Sequence, residues 1–124
     1  MISGIGIDMI EVDRVAEKIS KEQGFRELVF SEGEIKYCES KTHKYEHYAA
    51  RFAAKEAFLK AAGTGWVSEL VFNEIEVVND VNGKPHMNLS GKTADAFNMS
   101  AISQIAVSLT HLRGIASAVV FIEI

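Results

Sequence analysis

Cysteine and proline are each represented by a single residue among 124, Cys38 and Pro85. One cysteine excludes an internal disulfide and a cysteine-based zinc site, and it favours a reducing compartment. The apolar N-terminal run is interrupted by Asp8 and follows no basic segment, so we expect no signal peptide. No apolar stretch reaches the roughly 20 residues that span a bilayer. We therefore expect a cytoplasmic protein with no membrane partner, in which Cys38 is a passive side chain.

The chain also has no excess of positive charge, and its formal net charge is −4 at pH 7. A polyanion would have to bind a local basic patch, and we expect no nucleic-acid partner. The hydrophobic fraction of 48% and the charged fraction of 24% are typical of a globular protein. A chain of 124 residues forms one core but is short for two, so we expect one domain over residues 1–124.

The central stretch, residues 48–65, is rich in strong helix formers up to Gly63, which suits a left-handed helix C-cap. Glu56 and Lys60 lie one turn apart on one side of this predicted helix. They form either a solvated ion pair or a functional pair, in which the carboxylate binds a metal or a proton. Small and apolar side chains share another face, which allows a close approach of a second backbone: Ala50, Ala54, Ala57, Phe58 and Ala61.

The segments before this helix predict a strand over residues 2–8 and a helix over residues 12–22. Gly4 and Gly6 are not a dinucleotide fingerprint, since no third glycine follows and an acid stands where pyrophosphate would approach. The helix has one apolar side and one basic side, which is either simply solvated or a docking surface for an acidic partner. That basic side consists of Arg14, Lys18 and Lys21.

A capping box at Ser31 and Glu34 predicts a further helix up to Glu39, after a link of uncertain structure at residues 25–30. His43 and His47 have the spacing of a metal pair, but no third ligand is recognisable nearby, which favours a solvated face.

The second half of the chain predicts strands over residues 71–78, 86–89, 105–111 and 115–124. Turn residues 79–85 join the first two strands, and Ser90 is expected to cap a helix over residues 91–99. The last strand is almost entirely apolar, so we expect it to be covered on both faces. The order of elements predicts an α+β domain in which a mainly antiparallel sheet packs on the long central helix.

Four segments together resemble the small-type 4′-phosphopantetheinyl transferases, the holo-acyl-carrier-protein synthases. They are GIGID at 4–8 with Arg14 beyond it, FxxxExxY at 30–37, RFAAKEAFLKAAGTG at 51–65, and SxTH at 108–111, with the turn NGKP at 82–85. The resemblance implies that family's fold and transfer of the phosphopantetheine arm of CoA to a serine of apo acyl carrier protein. It also implies release of adenosine 3′,5′-bisphosphate, a role in fatty acid biosynthesis, and homotrimers with active sites at subunit interfaces.

Matching this chain to the family's motifs assigns individual roles. Asp8 and Glu56 match the magnesium ligands, and Lys60 matches the lysine beside the scissile pyrophosphate, so Glu56 and Lys60 are the implied catalytic pair. The acidic carrier protein is expected to dock on the basic side of the first helix, Arg14, Lys18 and Lys21. The residues that match CoA-binding segments are Arg51, Lys60, Gly63, Thr64, Gly83, Pro85 and His111. After His111 the chain departs from the family pattern, with LRGIA at 112–116.

The residue types agree with this chemistry, because magnesium prefers carboxylate and phosphate oxygens and pyrophosphate transfer depends mainly on positioning and charge neutralisation. A histidine on an apolar strand face, such as His111, is more often a hydrogen-bonded core residue than a ligand contact, but the resemblance favours a phosphate contact. Two other functions stay open: a magnesium-dependent CoA or nucleotide pyrophosphatase, and a non-catalytic CoA-binding subunit. Asp8, Glu56 and Lys60 argue against the non-catalytic function.

Overall fold

The computed structural model describes residues 1–63, 70–97 and 101–124, and within them it shows two antiparallel sheets around one long helix. One sheet has the strand order β1-β5-β4, and the other is the hairpin β2-β3. The predicted α+β architecture is confirmed. The strands are β1 Ile2–Glu11, β2 Ile75–Asn79, β3 Pro85–Leu89, β4 Gln104–His111 and β5 Ile115–Glu123. The helices are α1 Val12–Lys21, α2 Phe25–Val29, α3 Glu32–Glu39, α4 Lys44–Ala62 and α5 Gly91–Ala96.

The central helix α4 begins four residues before the predicted segment and ends where predicted. Gly63 adopts a φ of 73°, and its N–H donates to the carbonyl of Leu59 at 3.0 Å, so the left-handed C-cap is confirmed. The face of small side chains is buried completely at Ala54 and Ala57. This helix packs against both β1 and β5 and forms the centre of the core.

Strand β1 crosses α4 at backbone contact distance. A Cβ atom added to Gly4 would lie 1.9 Å from the carbonyl oxygen of Ala61, and one added to Gly6 would lie 1.9 Å from that of Ala57. Only glycine fits at these two strand positions, because the obstacle is helix backbone. The predicted close approach of a second backbone is therefore confirmed, and it brings the end of β1 beside the middle of α4.

A fully buried ion pair connects α3, α4 and β2. The ammonium of Lys55 lies 2.7 Å from Oε1 of Glu34, and both side chains are 0% exposed. The same ammonium donates to the carbonyls of Phe72 and Ile75, while Oε2 of Glu34 accepts from the N–H of Val77 at 3.0 Å. Since each charged group is hydrogen-bonded, the pair fixes the start of the β2-β3 hairpin against the central helix.

Three local predictions need correction. The segment Phe25–Val29 is a helix and not an irregular link. The predicted strand over 71–78 begins with the 3-10 turn Phe72–Glu74, so β2 starts only at Ile75. The side chain of Ser90 makes no capping hydrogen bond, because Oε1 of Glu74 instead accepts from the N–H of Thr93 at 3.0 Å. The predicted end of α5, at residue 99, lies outside the described residues.

The larger sheet covers the core with one face only. On β5 the even-numbered residues from Ala116 to Ile122 are buried and the intervening residues are partly exposed, so the prediction of two covered faces is wrong for the single chain. On β1 the side chains of Ile5, Ile7 and Met9 are 59%, 64% and 66% exposed. Ile5 pairs with Phe121 and Ile7 with Val119, and paired residues share a face. We call these five residues the outer sheet face: Ile5, Ile7, Met9, Val119 and Phe121.

Among the described residues, no helix is long and apolar enough to cross a membrane.

Candidate active site

The two carboxylates matched to the metal site line one cavity. Asp8 comes from β1 and Glu56 from α4, and their cavity of about 320 Å³ also includes Arg14, Lys18 and Phe52. The glycine contacts between β1 and α4 place these acids together. In the described part of the chain, no group of three or more His, Cys, Asp and Glu side chains could hold a metal. A cation at this cavity would therefore have two protein carboxylates and need further oxygen ligands, which suits magnesium.

Lys60 is hydrogen-bonded to Asp8, the acid that β1 contributes to this cavity. Its ammonium lies 2.9 Å from Oδ1 of Asp8 and 3.1 Å from the carbonyl oxygen of Ile7. The lysine side chain is 57% exposed, whereas that of Asp8 is only 14% exposed. The ammonium is thus held beside one carboxylate of the cavity, and the side chain that carries it remains more than half exposed.

The charged groups around Glu56 shift its pKa in opposite directions. Burial raises the pKa of the Glu56 carboxyl, and the nearby carboxylate of Asp8 raises it further. The cations Lys60, Arg14 and Lys18 lower this pKa, but the net direction is upward. A site in which two carboxylates repel each other favours a bound cation or proton. This is the observation that supports a fit between the donor set and a divalent metal.

A second cavity, of about 170 Å³, collects predicted CoA-binding residues from α4, β3, β4 and the hairpin turn. Arg51 is 2% exposed, and its guanidinium lies over the Tyr37 ring, 4.1 Å from the centroid. Nη2 of Arg51 donates to Oδ1 of Asn79 at 2.5 Å, and Asn79 in turn donates to the carbonyl of Gly83. Nε of Arg51 is buried without a hydrogen-bond partner among the described residues. Gly83, Pro85 and His111 line the same cavity.

His111 occupies the end of β4 and faces the start of α4. Its Nδ1 lies 2.8 Å from Oε1 of Glu46, and its ring packs edge-on against the ring of His47 with centroids 4.9 Å apart. His47 also packs against Tyr37, with centroids 5.7 Å apart. His111 is therefore partly exposed in this cavity and hydrogen-bonded to a carboxylate.

The predicted site residues fall into two groups in one chain. The carboxylate cavity and the Arg51 cavity share no lining residue. Arg51 and Glu56 are five positions apart on α4, which turns them roughly 140° from each other around the helix axis. The two cavities consequently open on different sides of the central helix.

The basic side of α1 adjoins the carboxylate cavity. Arg14 and Lys18 line that cavity, and Lys18 also lies 5.6 Å from the centroid of the Phe25 ring. Lys21 is further along the helix and forms an exposed pair with Glu17 at 3.0 Å. Two of the three predicted docking cations are therefore beside the acids, and the third is partly neutralised.

The remaining predicted CoA residues have different positions. Gly63 is the C-cap of α4. Thr64 lies outside the described residues. The passive role expected of Cys38 agrees with its complete burial, which raises the thiol pKa to about 12.

Sequence reasoning missed the partners that organise these cavities. Glu46 bonds His111 across 65 positions of the chain, and Arg51 bonds Asn79 across 28. Lys55 pairs with Glu34 across 21 positions. The sequence offered one signal, the placement of both Glu34 and Lys55 inside the segments that carry the family resemblance.

Comparisons with known proteins identify the family. Residues 4–112 match the family model described as the 4′-phosphopantetheinyl transferase superfamily. The holo-[acyl-carrier-protein] synthase of Cytophaga hutchinsonii is 49% identical over 116 residues, which are 91% of each chain. The crystal structure of the Neisseria meningitidis synthase superposes with a TM-score of 0.88, at 29% identity and full coverage of both chains. A Bacillus anthracis synthase in complex with CoA (3′,5′-ADP) is 37% identical with a TM-score of 0.81, covering 99% and 97% of the chains.

The antiparallel α+β fold and the matched motifs define a phosphopantetheinyl transferase. The chain belongs to the 4′-phosphopantetheinyl transferase superfamily and, within it, to the holo-[acyl-carrier-protein] synthases. The prediction of an enzyme of this transferase family, with this family's fold, is confirmed.

Proposed function

We propose that residues 1–124 form one catalytic domain that transfers 4′-phosphopantetheine from CoA to a serine of apo acyl carrier protein. The reaction depends on magnesium, releases adenosine 3′,5′-bisphosphate and serves fatty acid biosynthesis in the cytoplasm. One observation carries this proposal: Asp8, Glu56 and Lys60 converge from β1 and α4 beside a basic helix face. The relatives' names and the CoA complex of the Bacillus anthracis synthase support it.

Asp8 and Glu56 would hold the magnesium ion. The bound ion would neutralise negative charge on the pyrophosphate oxygens of CoA. Burial and then the charge of Asp8 raise the pKa of Glu56, and a bound cation would stabilise the charged form of both carboxylates. Lys60, which is bonded to Asp8, places an ammonium beside these carboxylates.

The chain's own residues then move a proton and stabilise charge. The serine Oγ forms a bond to the phosphorus that carries the pantetheine arm, and the bond from that phosphorus to the bridging oxygen breaks. Glu56 accepts the serine proton directly or through a water, a role that its raised pKa supports. Lys60 stabilises or protonates the oxygen that leaves with adenosine 3′,5′-bisphosphate.

CoA binding involves the second cavity. Arg51 and His111 supply nitrogen donors for phosphate oxygens, and the hairpin turn contributes Gly83 and Pro85. The buried Nε of Arg51, which has no partner among the described residues, supports an anionic ligand there. Lys60, Gly63 and Thr64 belong to the same proposed set, at the end of α4 and beyond it.

The assembly that we propose is a homotrimer with active sites at subunit interfaces. The outer sheet face is apolar, and its three β1 residues are exposed in the single chain, which supports its burial against another copy. The separation of the two cavities supports an active site in which one subunit contributes the Arg51 cavity and its neighbour contributes Asp8 and Glu56.

Intact-mass analysis tests the function directly. We expect apo acyl carrier protein incubated with CoA, magnesium and this protein to gain the mass of one phosphopantetheine. Asp8→Asn and Glu56→Gln are the matched variants, and each should lose most turnover while its melting temperature shows a folded protein. Release of free phosphopantetheine without carrier modification would identify a pyrophosphatase. CoA binding by calorimetry without any chemistry would identify a non-catalytic subunit.

A further inference from the structure

The contact between Glu46 and His111 restricts what the histidine can donate. Oε1 of Glu46 lies 2.8 Å from Nδ1 of His111, and the two side chains are 16% and 30% exposed. A carboxylate only accepts hydrogen bonds, so the proton of this contact is on Nδ1. The other ring nitrogen, Nε2, is then a lone-pair acceptor in a neutral ring and a donor only in the imidazolium.

A phosphate oxygen accepts hydrogen bonds and does not donate them. The neutral ring and the imidazolium of His111 therefore differ in how they bind phosphate. The neutral ring would present its Nε2 lone pair to the phosphate and repel it. The imidazolium would donate from Nδ1 to Glu46 and from Nε2 to the phosphate. Phosphate binding at His111 is thus linked to protonation of the ring.

Other titratable groups face His111 from the elements packed against it. Helix α4 contributes His47 and Arg51, and burial together with the charges of His111 and Arg51 lowers the pKa of His47. Strands β3 and β5 contribute Pro85 and Ala116, which do not titrate. Among the described residues, none of those that line the Arg51 cavity is acidic, and Glu46 is hydrogen-bonded to one of them, His111. The further titratable side chains near His47 or Glu46 are Tyr37, Lys41, Asp13, His43, Lys44 and Arg113.

We propose that Glu46 is a positioning residue for CoA, which orients the His111 ring and stabilises the imidazolium that donates to a CoA phosphate. A consequence is that CoA binding takes up a proton from solvent, which ends on Nε2 of His111. This inference rests on the proposed function, because it requires that His111 contacts CoA.

Isothermal titration of CoA at pH 8, in two buffers of different ionisation enthalpy, measures the proton uptake. We expect the wild-type protein to take up roughly half to one proton for each CoA bound. Glu46→Gln keeps an acceptor for Nδ1 but removes the charge. It should reduce the uptake to below half of the wild-type value and weaken CoA binding by about 3–10-fold, with kcat at saturating CoA within about two-fold. The exposed Glu32→Gln makes the same charge change on α3 and should alter neither quantity.

The outcomes separate this inference from the proposed function. Unchanged proton uptake and affinity in Glu46→Gln, with weaker CoA binding in His111→Gln, would overturn the role of Glu46 alone. Unchanged CoA affinity in His111→Gln would overturn this inference and the role of His111 in CoA binding, whereas no CoA binding by the wild type would overturn the proposed function as well. Should Glu46→Gln fail to fold, ¹⁵N chemical shifts of His111 in the wild type decide. A proton on Nδ1, joined by one on Nε2 when CoA binds, supports the proposal, and an unprotonated Nε2 in the complex overturns it.

Discussion

Lys60 combines a fixed position with partial exposure, as a residue acting on a leaving group requires. It is held by Asp8 at 2.9 Å, and its side chain remains 57% exposed. We expect Lys60→Ala to lower kcat by about 10²–10⁴-fold, the usual range for lost acid–base assistance. Steady-state kinetics with CoA as the varied substrate measures this, and Lys36→Ala on the exposed side of α3 is the control. A rise in the KM for CoA at unchanged kcat would make Lys60 a simple binding contact.

His47 makes stability depend on pH in a defined direction. Its pKa is lowered from the ordinary 6.5, first by burial and then by the charges of His111 and Arg51. The unfolded chain therefore binds a proton at higher pH than the folded chain. Well above pH 6.5, His47 is neutral in both states and does not alter the free energy of unfolding. As the pH falls from 6.5 towards the lowered pKa, His47 is protonated preferentially in the unfolded chain, so the free energy of unfolding decreases.

His47→Phe keeps an aromatic ring against Tyr37 and His111 but cannot take up a proton. We expect its melting temperature to fall less than that of the wild type between pH 7 and pH 5. Thermal melts across that range measure the difference. Parallel curves for the two proteins would contradict the assigned pKa direction.

The crossing of β1 over α4 depends on Gly6. A Cβ at this position would meet the carbonyl oxygen of Ala57 at 1.9 Å, and backbone cannot move aside as a flexible side chain can. We expect Gly6→Ala to destabilise the protein by about 3 kcal/mol, at the upper end of the cost of overpacking, and to displace Asp8. Denaturant unfolding measures the loss. Gly114→Ala is the matched control, since nothing lies within 4 Å of its added Cβ, and it should unfold like the wild type.

Helix α1 presents a local positive surface on a protein of net charge −4. Arg14 lies beside both carboxylates, so an acidic carrier protein docked there could place its serine near Glu56. We expect Arg14→Glu to raise the KM for carrier protein by about tenfold, with CoA affinity nearly unchanged and a weaker dependence on salt. Kinetics with carrier protein as the varied substrate, at low and high salt, provide the test. Weaker CoA binding at an unchanged carrier KM would exclude this helix as the docking face.

At the scale of the whole molecule, the outer sheet face is the strongest argument for oligomerisation. Ile7 lies near its centre and is 64% exposed in the single chain. We expect the wild type to be a trimer and Ile7→Lys to be monomeric and inactive, because the substitution places a charge in an apolar interface. Light scattering coupled to size-exclusion chromatography measures the mass. Val81→Lys, at a fully exposed turn position, should remain a trimer, and a monomeric wild type would refute the assembly.

The sequence by itself determined the features that depend on neighbouring residues. The capping box at Ser31 and Glu34, the C-cap at Gly63 and the turn before Pro85 were all predicted correctly. Each is stabilised by hydrogen bonds or backbone conformations within a few positions of the chain, so local residue types are sufficient evidence. The motifs also identified the family. Asp8 and Glu56, however, were assigned to one site by their match to the family's motifs and not from their spacing in the chain.

Only the tertiary structure decided which distant groups satisfy one another. Glu34 bonds Lys55 across 21 positions and Glu46 bonds His111 across 65, while Glu74 replaces Ser90 as the cap of α5. A carboxylate on an isolated helix has many possible partners in sequence, and burial and backbone position select one of them. The same holds for the outer sheet face, since a strand's apolar pattern does not reveal whether its second face is covered by its own chain.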